Sequence, residues 1–368
     1  MAKNSNLIRA KETKNDEFYT QYEDIQKELN HYEEHFKGKT ILCNCDDPYE
    51  SNFCKFFLRN FNYLQLKRLI CTSYYASSVV GTQLSIFDLI DNVSESEGHG
   101  YVMDVSSVPM ANGRGVSDED INKLLKSKKC VKELKGNGDF SSPECIEYLK
   151  AADVVVTNPP FSIARQLYLP LLLQYDKKFL IVGDMTWETN KDMFPLIKDN
   201  KVWLGYNPVK EFVQPNGTKK TFGNKLWFTN LDIKKRHESM VLYKKYNEEE
   251  YPRYDNYADI IEVSKVTDIP MDYNGIMSVP ISFLDKHNPD QFELVGIPAA
   301  DSTFRTKTYG DYIGYKQDGT KTGRTGSTLG NCAVLVKDDH IKDYYEKDGI
   351  RVQAVFRRVF IRRKEMQE

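Results

Sequence analysis

Residues 153–162 read Asp-Val-Val-Val-Thr-Asn-Pro-Pro-Phe-Ser, an apolar run that stops at two prolines. Four consecutive β-branched residues, Val154 to Thr157, favour a buried strand. Pro159 and Pro160 lack backbone N–H groups and bias the residue before each away from helix. The chain must therefore leave the sheet here. Asn158 then offers a side-chain carbonyl and Pro159 a backbone carbonyl at the sheet's mouth, and Phe161 offers a flat apolar face. Two acceptors beside an aromatic platform suit a planar group with an exocyclic NH2. They hold the amine hydrogens and leave its lone pair free to attack. The plain alternative is a proline-rich turn after a strand.

The surrounding pattern alternates strands and helices. Phe18, Tyr22, Ile25, Leu29, Tyr32 and Phe36 mark one face of a helix stopped by Gly38. Strands are expected at 40–45, 66–72, 101–105, 153–157 and 179–183, with further ones at 201–205 and 225–229. Helices are expected at 53–61 and 163–175, the latter capped by Ser162. This alternation predicts an α/β fold with an open, largely parallel sheet, and ligands bind beyond the carboxyl ends of such strands. From about residue 234 the alternation fades and tyrosines and charges crowd in. Residues 1–233 are expected to form a catalytic domain. Residues 234–368 form a second region, whose end could pack back on the first.

Fifty-one Lys+Arg against fifty-three Asp+Glu give a net charge of −2. Binding through bulk positive charge is excluded, whereas a local basic face is not. The N-terminus has no apolar signal core, and Leu167–Leu173 is too short for a membrane span and contains Pro170. A soluble, cytoplasmic protein is expected, with no membrane partner. Seven cysteines without a C-x-x-C pair argue against zinc or any other metal site, and they read as reduced core residues.

Asn-Pro-Pro-Phe after a strand resembles the catalytic motif of amino-group DNA methyltransferases that use S-adenosylmethionine. Other segments follow in matching order. Asp16-Glu-Phe18-Tyr19-Thr20 resembles the N-terminal element lining the methionine end of that cofactor. Cys43-Asn-Cys45-Asp46-Asp47-Pro48 stands where the first cofactor motif belongs, although its usual glycine turn is missing. Ser73 stands near the end of the second strand, and Asp104 matches the acid that receives the cofactor's adenine amine. For Asp46 and Asp47 a solvated turn is the alternative, and for Asp104 a helix cap. The order is the gamma arrangement of adenine-N6 enzymes. The stretch from Asp272 to Glu293 and the ending Arg358–Lys364 are similar to EcoRI-type adenine methylases in particular.

This resemblance implies a Rossmann-like open sheet of class I methyltransferases followed by a target-recognition region. It implies methyl transfer to N6 of an adenine flipped out of double-stranded DNA, in restriction–modification or phage protection. Asn158, Pro159, Pro160 and Phe161 would be catalytic, with Asn158 also at the cofactor. Phe18, Tyr19, Thr20, Cys45, Asp46, Pro48, Ser73 and Asp104 would line the cofactor. Phe161 and Phe222 would pack the base, and Trp227 would be core. Arg305, Lys307, Lys316, Lys321 and Arg324, interleaved with aromatics, are candidates for DNA contacts, and Arg9, Lys11 and Lys14 for a basic arm. A monomer is expected, with a cognate nuclease acting on the same site without a stable complex. The alternatives are a protein-glutamine or RNA methyltransferase, and a non-catalytic DNA-binding or anti-restriction protein on the same scaffold.

Overall fold

The computed structural model describes residues 19–49, 51–74, 99–110, 116–127, 129–213, 218–337 and 343–364. Phe18 and the basic arm at Arg9, Lys11 and Lys14 lie outside these. The described residues of Met1–Trp187 and Val202–Leu231 form one compact unit, and those of Glu188–Lys201 and Asp232–Glu368 form another. The division at 231/232 falls two residues before the expected boundary. The excursion 188–201, invisible to composition, belongs to the second unit.

In the first unit the described strands are β1 (Tyr19–Thr20), β2 (Thr40–Asn44), β3 (Arg68–Ser73), β4 (Tyr101–Val105), β5 (Val131–Glu133), β6 (Val154–Thr157), β7 (Lys178–Asp184), β8 (Trp203–Val213) and β9 (Lys219–Thr229). They form one sheet in the order β1-β8-β9-β7-β6-β2-β3-β4-β5. The central four, β7-β6-β2-β3, are mutually parallel. Every residue of β2 and β6 is buried, as expected of strands covered on both faces. From β2 the chain crosses to β3 on one side, and from β6 to β7 on the other. The gap between β2 and β6 is therefore the point where strand order reverses, the usual ligand crevice of such sheets.

Helix α1 (Tyr22–Leu29) and the turns that carry it to Phe36 bury Ile25, Leu29, Tyr32 and Phe36 completely. They end at Gly38, whose φ of +71° suits only glycine at low cost. Glu28 is buried with them. It accepts from Tyr32 Oη, from the Tyr206 and Asn207 N–H groups and from Asn207 Nδ2, tying the helix to β8. Helix α2 (Asn52–Asn60) begins at a Ser51 cap, whose hydroxyl accepts from the N–H groups of Phe53 and Cys54.

The sheet is less parallel than expected. Strand β4 runs antiparallel to β3, with Leu69 opposite Val105 and Ser73 opposite Tyr101. The hairpin β8–β9 adds two more reversed strands, and β9 inserts beside β7. Helix 163–175 actually begins at Phe161, so Pro160 and not Ser162 occupies the cap. A π-helical turn, Ala164–Tyr168, interrupts it. Trp227 is core, at 1% exposure. All seven cysteines are free, and five are buried.

The second unit holds β10 (Ile260–Glu262), β11 (Ile276–Pro280), β12 (Phe292–Gly296), β13 (Ile313–Lys316), β14 (Lys321–Thr325), β15 (Ala333–Val336), β16 (Asp343–Lys347), β17 (Ile350–Val355) and β18 (Arg358–Arg363). They form sheets ordered β10-β11-β18-β12 and β14-β13-β16-β17-β15. Tyr254, Tyr257, Ile260, Val295, Ala333, Leu335 and Phe360 make a core linking the two. The chain's last strand lies between β11 and β12 in the second unit.

Candidate active site

At the reversal point the ends of β2 and β6 are laced together by one buried carboxyl. Asp46 accepts from Thr157 Oγ1, from Ser51 Oγ at 2.9 Å and from the Asn158 N–H. Thr157 Oγ1 also reaches the Asn44 carbonyl, and Tyr168 Oη reaches Asn44 Oδ1. The side chain of Asp46 is thus a strut that fixes where Asn158 leaves the sheet. Burial outweighs these donors and pushes the Asp46 carboxyl up to about 7.

That shift has a measurable sign. Unfolded, Asp46 would titrate near pH 3.9, so the native state retains a proton that the unfolded chain loses. The stabilisation is complete below about pH 4 and is lost as pH climbs through about 7. Asp46→Asn, always neutral, should show a smaller fall in Tm between pH 5 and pH 8 than wild type. Equal falls by thermal denaturation would show that Asp46 is ionised throughout.

The missing glycine turn has a structural answer. Cys45, between β2 and Asp46, itself adopts φ +72°, a conformation costly for a residue with a side chain. The backbone makes the sharp turn that glycine usually supplies. Pro48 is buried behind it, and Asp47 accepts from the Tyr49 N–H at 2.9 Å. Thr20 lies beside this turn, since its carbonyl accepts from Asn52 Nδ2 at the start of α2. Its hydroxyl is buried and finds no hydrogen-bond partner among the described residues, nor does Asn44 Nδ2. Such orphaned groups at a sheet's mouth suit a polar ligand. Tyr19 precedes Thr20 on the same edge strand.

Two cofactor expectations change. Because β4 is antiparallel, Asp104 stands opposite Ile70, toward the start of β3 and away from the carboxyl ends. There it forms a two-pronged ion pair with Arg68, at 2.7 and 2.6 Å. It is neither at the mouth nor a helix cap. Ser73 is at the mouth, but its hydroxyl accepts from the Tyr101 N–H.

What reaches the end of β3 instead is the loop before α3 (Pro143–Ala151). Gly138, at φ +75°, packs so closely that a Cβ there would come 2.0 Å from the Ser73 carbonyl oxygen, and one on Gly100 would come within 2.4 Å. The next residues are Asp139, half-buried, whose carboxylate accepts from the Ser141 N–H at 2.9 Å and from Ser141 Oγ at 2.6 Å, and Phe140, whose ring meets Tyr168 edge-on at 5.2 Å. Asp139 thus follows directly on the glycine that packs against the end of β3. The sequence signal was Gly136-Asn-Gly138-Asp139-Phe140, a glycine-flanked acid.

On the other side of Asn158, Phe161 joins an aromatic group. Its ring centroid is 5.7 Å from Phe212 on β8 and 6.1 Å from Phe222 on β9, both edge-to-face. Phe212 and Phe222 are 5.5 Å apart. Thr20 is paired with Phe212, which brings the N-terminal element next to this group. The Lys225 ammonium lies 4.2 Å over Phe161 and 5.3 Å from the Phe222 centroid, and pairs with Asp184 at 2.6 Å. Burial raises the Asp184 carboxyl, but donors from Lys225 and Thr186 outweigh it and hold it below the usual range. Sequence reasoning passed over Phe212, Lys225 and Asp184, because strand register alone brings them to Phe161.

The five candidate DNA-contact residues divide. Lys307 is paired with Asp255 at 2.8 Å, and Arg305 donates to the carbonyls of Lys307 and Ala300. Both are internal ties of the second unit. Lys316, Lys321 and Arg324 are exposed on the hairpin β13–β14. Among the described residues no group of His, Cys, Asp and Glu could hold a metal ion, and no helix is long and apolar enough to cross a membrane.

Known proteins similar to this chain are methyltransferases. The family model described as adenine-specific methyltransferase EcoRI matches residues 6–364. The chain is 44% identical over 314 residues to the Type II methyltransferase M.EcoRI of Escherichia coli, covering 80% of this chain and 89% of that protein. It is 40% identical over 311 residues to M.MgeORF184P of Mycoplasma genitalium, covering 78% and 84%. It is 35% identical over 309 residues to M.MpnI of Mycoplasma pneumoniae, again covering 78% and 84%. No solved structure matches. With its match running from the N-terminal element to the last strand, the chain belongs to the EcoRI family of adenine-specific methyltransferases.

Proposed function

We propose that this enzyme methylates N6 of an adenine flipped out of double-stranded DNA, using S-adenosylmethionine, and that its first unit is a Rossmann-like class I methyltransferase domain. The observation that carries this reading is the fixed exit of Asn158 and Pro159 at the reversal point, beside the rings of Phe161, Phe212 and Phe222. The names of the relatives, all Type II methyltransferases, support a role in restriction–modification.

The chain's own contribution is positional. Flipping a base costs a few kcal/mol, and stacking on Phe161 offsets part of it. The Asn158 side-chain carbonyl and the Pro159 carbonyl accept the two amine hydrogens and aim the nitrogen lone pair. They also stabilise positive charge as it develops on that nitrogen. When bound, S-adenosylmethionine supplies an electrophilic methyl group on a sulfonium. Thr20 and the Cys45–Asp46 turn would hold its methionine side, and Asp139 its adenine amine.

The reassignment from Asp104 to Asp139 can be checked by calorimetry. Losing a hydrogen bond to a charged acceptor costs about 1.5–3 kcal/mol, so Asp139→Ala should weaken S-adenosylmethionine binding by roughly ten- to a hundredfold. Asp104→Ala, which removes only the partner of Arg68, should leave the affinity unchanged. The reverse pattern would restore Asp104 to the site. For the function as a whole, transfer of labelled methyl to duplex DNA, RNA and protein acceptors should mark DNA alone. Label in glutamine or RNA would overturn the reading, as would DNA binding without any response to S-adenosylmethionine.

A further inference from the structure

The five-stranded sheet of the second unit carries its charge unevenly. Five cations lie on its strands: Lys316, Lys321, Arg324, Lys347 and Arg351. Lys347 is held by Asp311 at 3.1 Å and Arg351 by Glu346 at 2.7 Å. The other three are all on β13–β14, and among the described residues none of them is held by a carboxylate. The one acid of this hairpin, Asp318, is used in its turn, where it accepts from the Thr320 N–H at 2.9 Å.

The hairpin is also built to project. Strand β14 is the outermost strand of its sheet and buries almost nothing, with Lys321, Gly323, Arg324 and Thr325 all exposed. It is nevertheless held firmly. Lys316 N–H donates to Thr320 O at 2.8 Å and Gly319 N–H to Lys316 O at 2.9 Å, closing the turn. A Cβ on Gly314 would come 2.6 Å from Thr322 Oγ1, so the two strands approach closely. Behind them Lys321 stands opposite Tyr315, and Tyr315 opposite Tyr344, with the two rings stacked at 5.4 Å and 15°. Arg351 covers Tyr344 at 5.0 Å. This row braces the hairpin from the sheet side.

A braced two-stranded ribbon with three cations outside any ion pair among the described residues matches one partner well. The major groove of B-DNA, about 12 Å wide, admits a two-stranded ribbon and displays a distinct pattern for each base pair. Five residues of strand span roughly 17 Å, enough to run along the groove between phosphates. We propose that β13–β14 is the element that reads the target sequence, with Arg324 on base edges and Lys316 and Lys321 on the flanking phosphates. This rests on the reading of the chain as a DNA methyltransferase.

Wild type, Arg324→Ala, Arg324→Lys and the double variant Lys316→Ala/Lys321→Ala would be expressed in a methylation-free host, and every methylated adenine of the host genome mapped. Binding of the purified proteins to a duplex with the mapped site would be followed against salt. Arg324→Ala should raise methylation of sites differing at one base pair at least tenfold relative to the full site. Arg324→Lys should relax it less than alanine does, since lysine can reach the same acceptors but lacks the planar fork. The double lysine variant should keep the site set but lower the log–log salt slope by about 2. Unchanged sites in Arg324→Ala would overturn base reading by the ribbon. An unchanged salt slope in the double variant would overturn its contact with phosphates. If wild type methylates no DNA, the failure lies in the underlying function and not in the ribbon.

Discussion

Asn158→Ala should abolish methyl transfer while leaving the fold and the affinity for S-adenosylmethionine nearly unchanged. Asp46, Thr157 and Ser51 hold the backbone at this point, and the contact from residue 158 to Asp46 is through its N–H, which alanine keeps. What alanine removes is the side-chain acceptor that aims the amine. That acceptor gains most as positive charge grows on nitrogen, so kcat should fall far more than KM changes. A loss of at least a thousandfold in kcat, about 4 kcal/mol, is expected for an acceptor of this kind. Rapid-quench measurement with labelled cofactor would read it. Near-wild-type kcat would remove Asn158 from the mechanism.

Phe161→Ala should weaken retention of the flipped base by about 1–3 kcal/mol, the worth of one base–aromatic contact. The expected cost is greater here than at Phe222. Phe161 follows the two prolines directly, beside the acceptors of Asn158 and Pro159. A duplex with 2-aminopurine at the target should brighten when wild type binds and brighten much less with the variant. Fluorescence that stays quenched on binding wild type would rule out flipping.

The local half of this architecture was legible in the sequence. Val154–Thr157 announces its strand through β-branched residues, and the prolines announce its end, because both signals come from the backbone of a few neighbouring residues. The spacing of Ile25, Leu29, Tyr32 and Phe36 likewise marks the face that is buried. Strand direction is different in kind. An apolar strand such as Tyr101–Val105 reads the same run either way, so nothing local revealed that β4 is reversed and that Asp104 meets Arg68. Reversal placed the acid toward the start of β3, away from the carboxyl ends of the strands.

The same gap explains the other misplacements. A basic, aromatic-rich stretch shows that cations are present but not which are spent on partners. Lys307 is committed to Asp255, a residue 52 positions away, while Lys321 and Arg324 are not committed. Lys225 meets Phe161 only because β9 inserts beside β7, an arrangement that no period of hydrophobicity encodes. The strained turn at Cys45 was hidden because a cysteine occupies a conformation where glycine is the usual sign.

The most direct test of the account is the chemical identity of the product. The purified enzyme would be incubated with methyl-labelled S-adenosylmethionine and unmethylated duplex DNA, and the DNA digested to nucleosides and resolved by mass spectrometry. All of the label should be in N6-methyladenine, and Asn158→Ala should yield none. Label in N4-methylcytosine, or DNA left unlabelled while RNA or protein is marked, would contradict it.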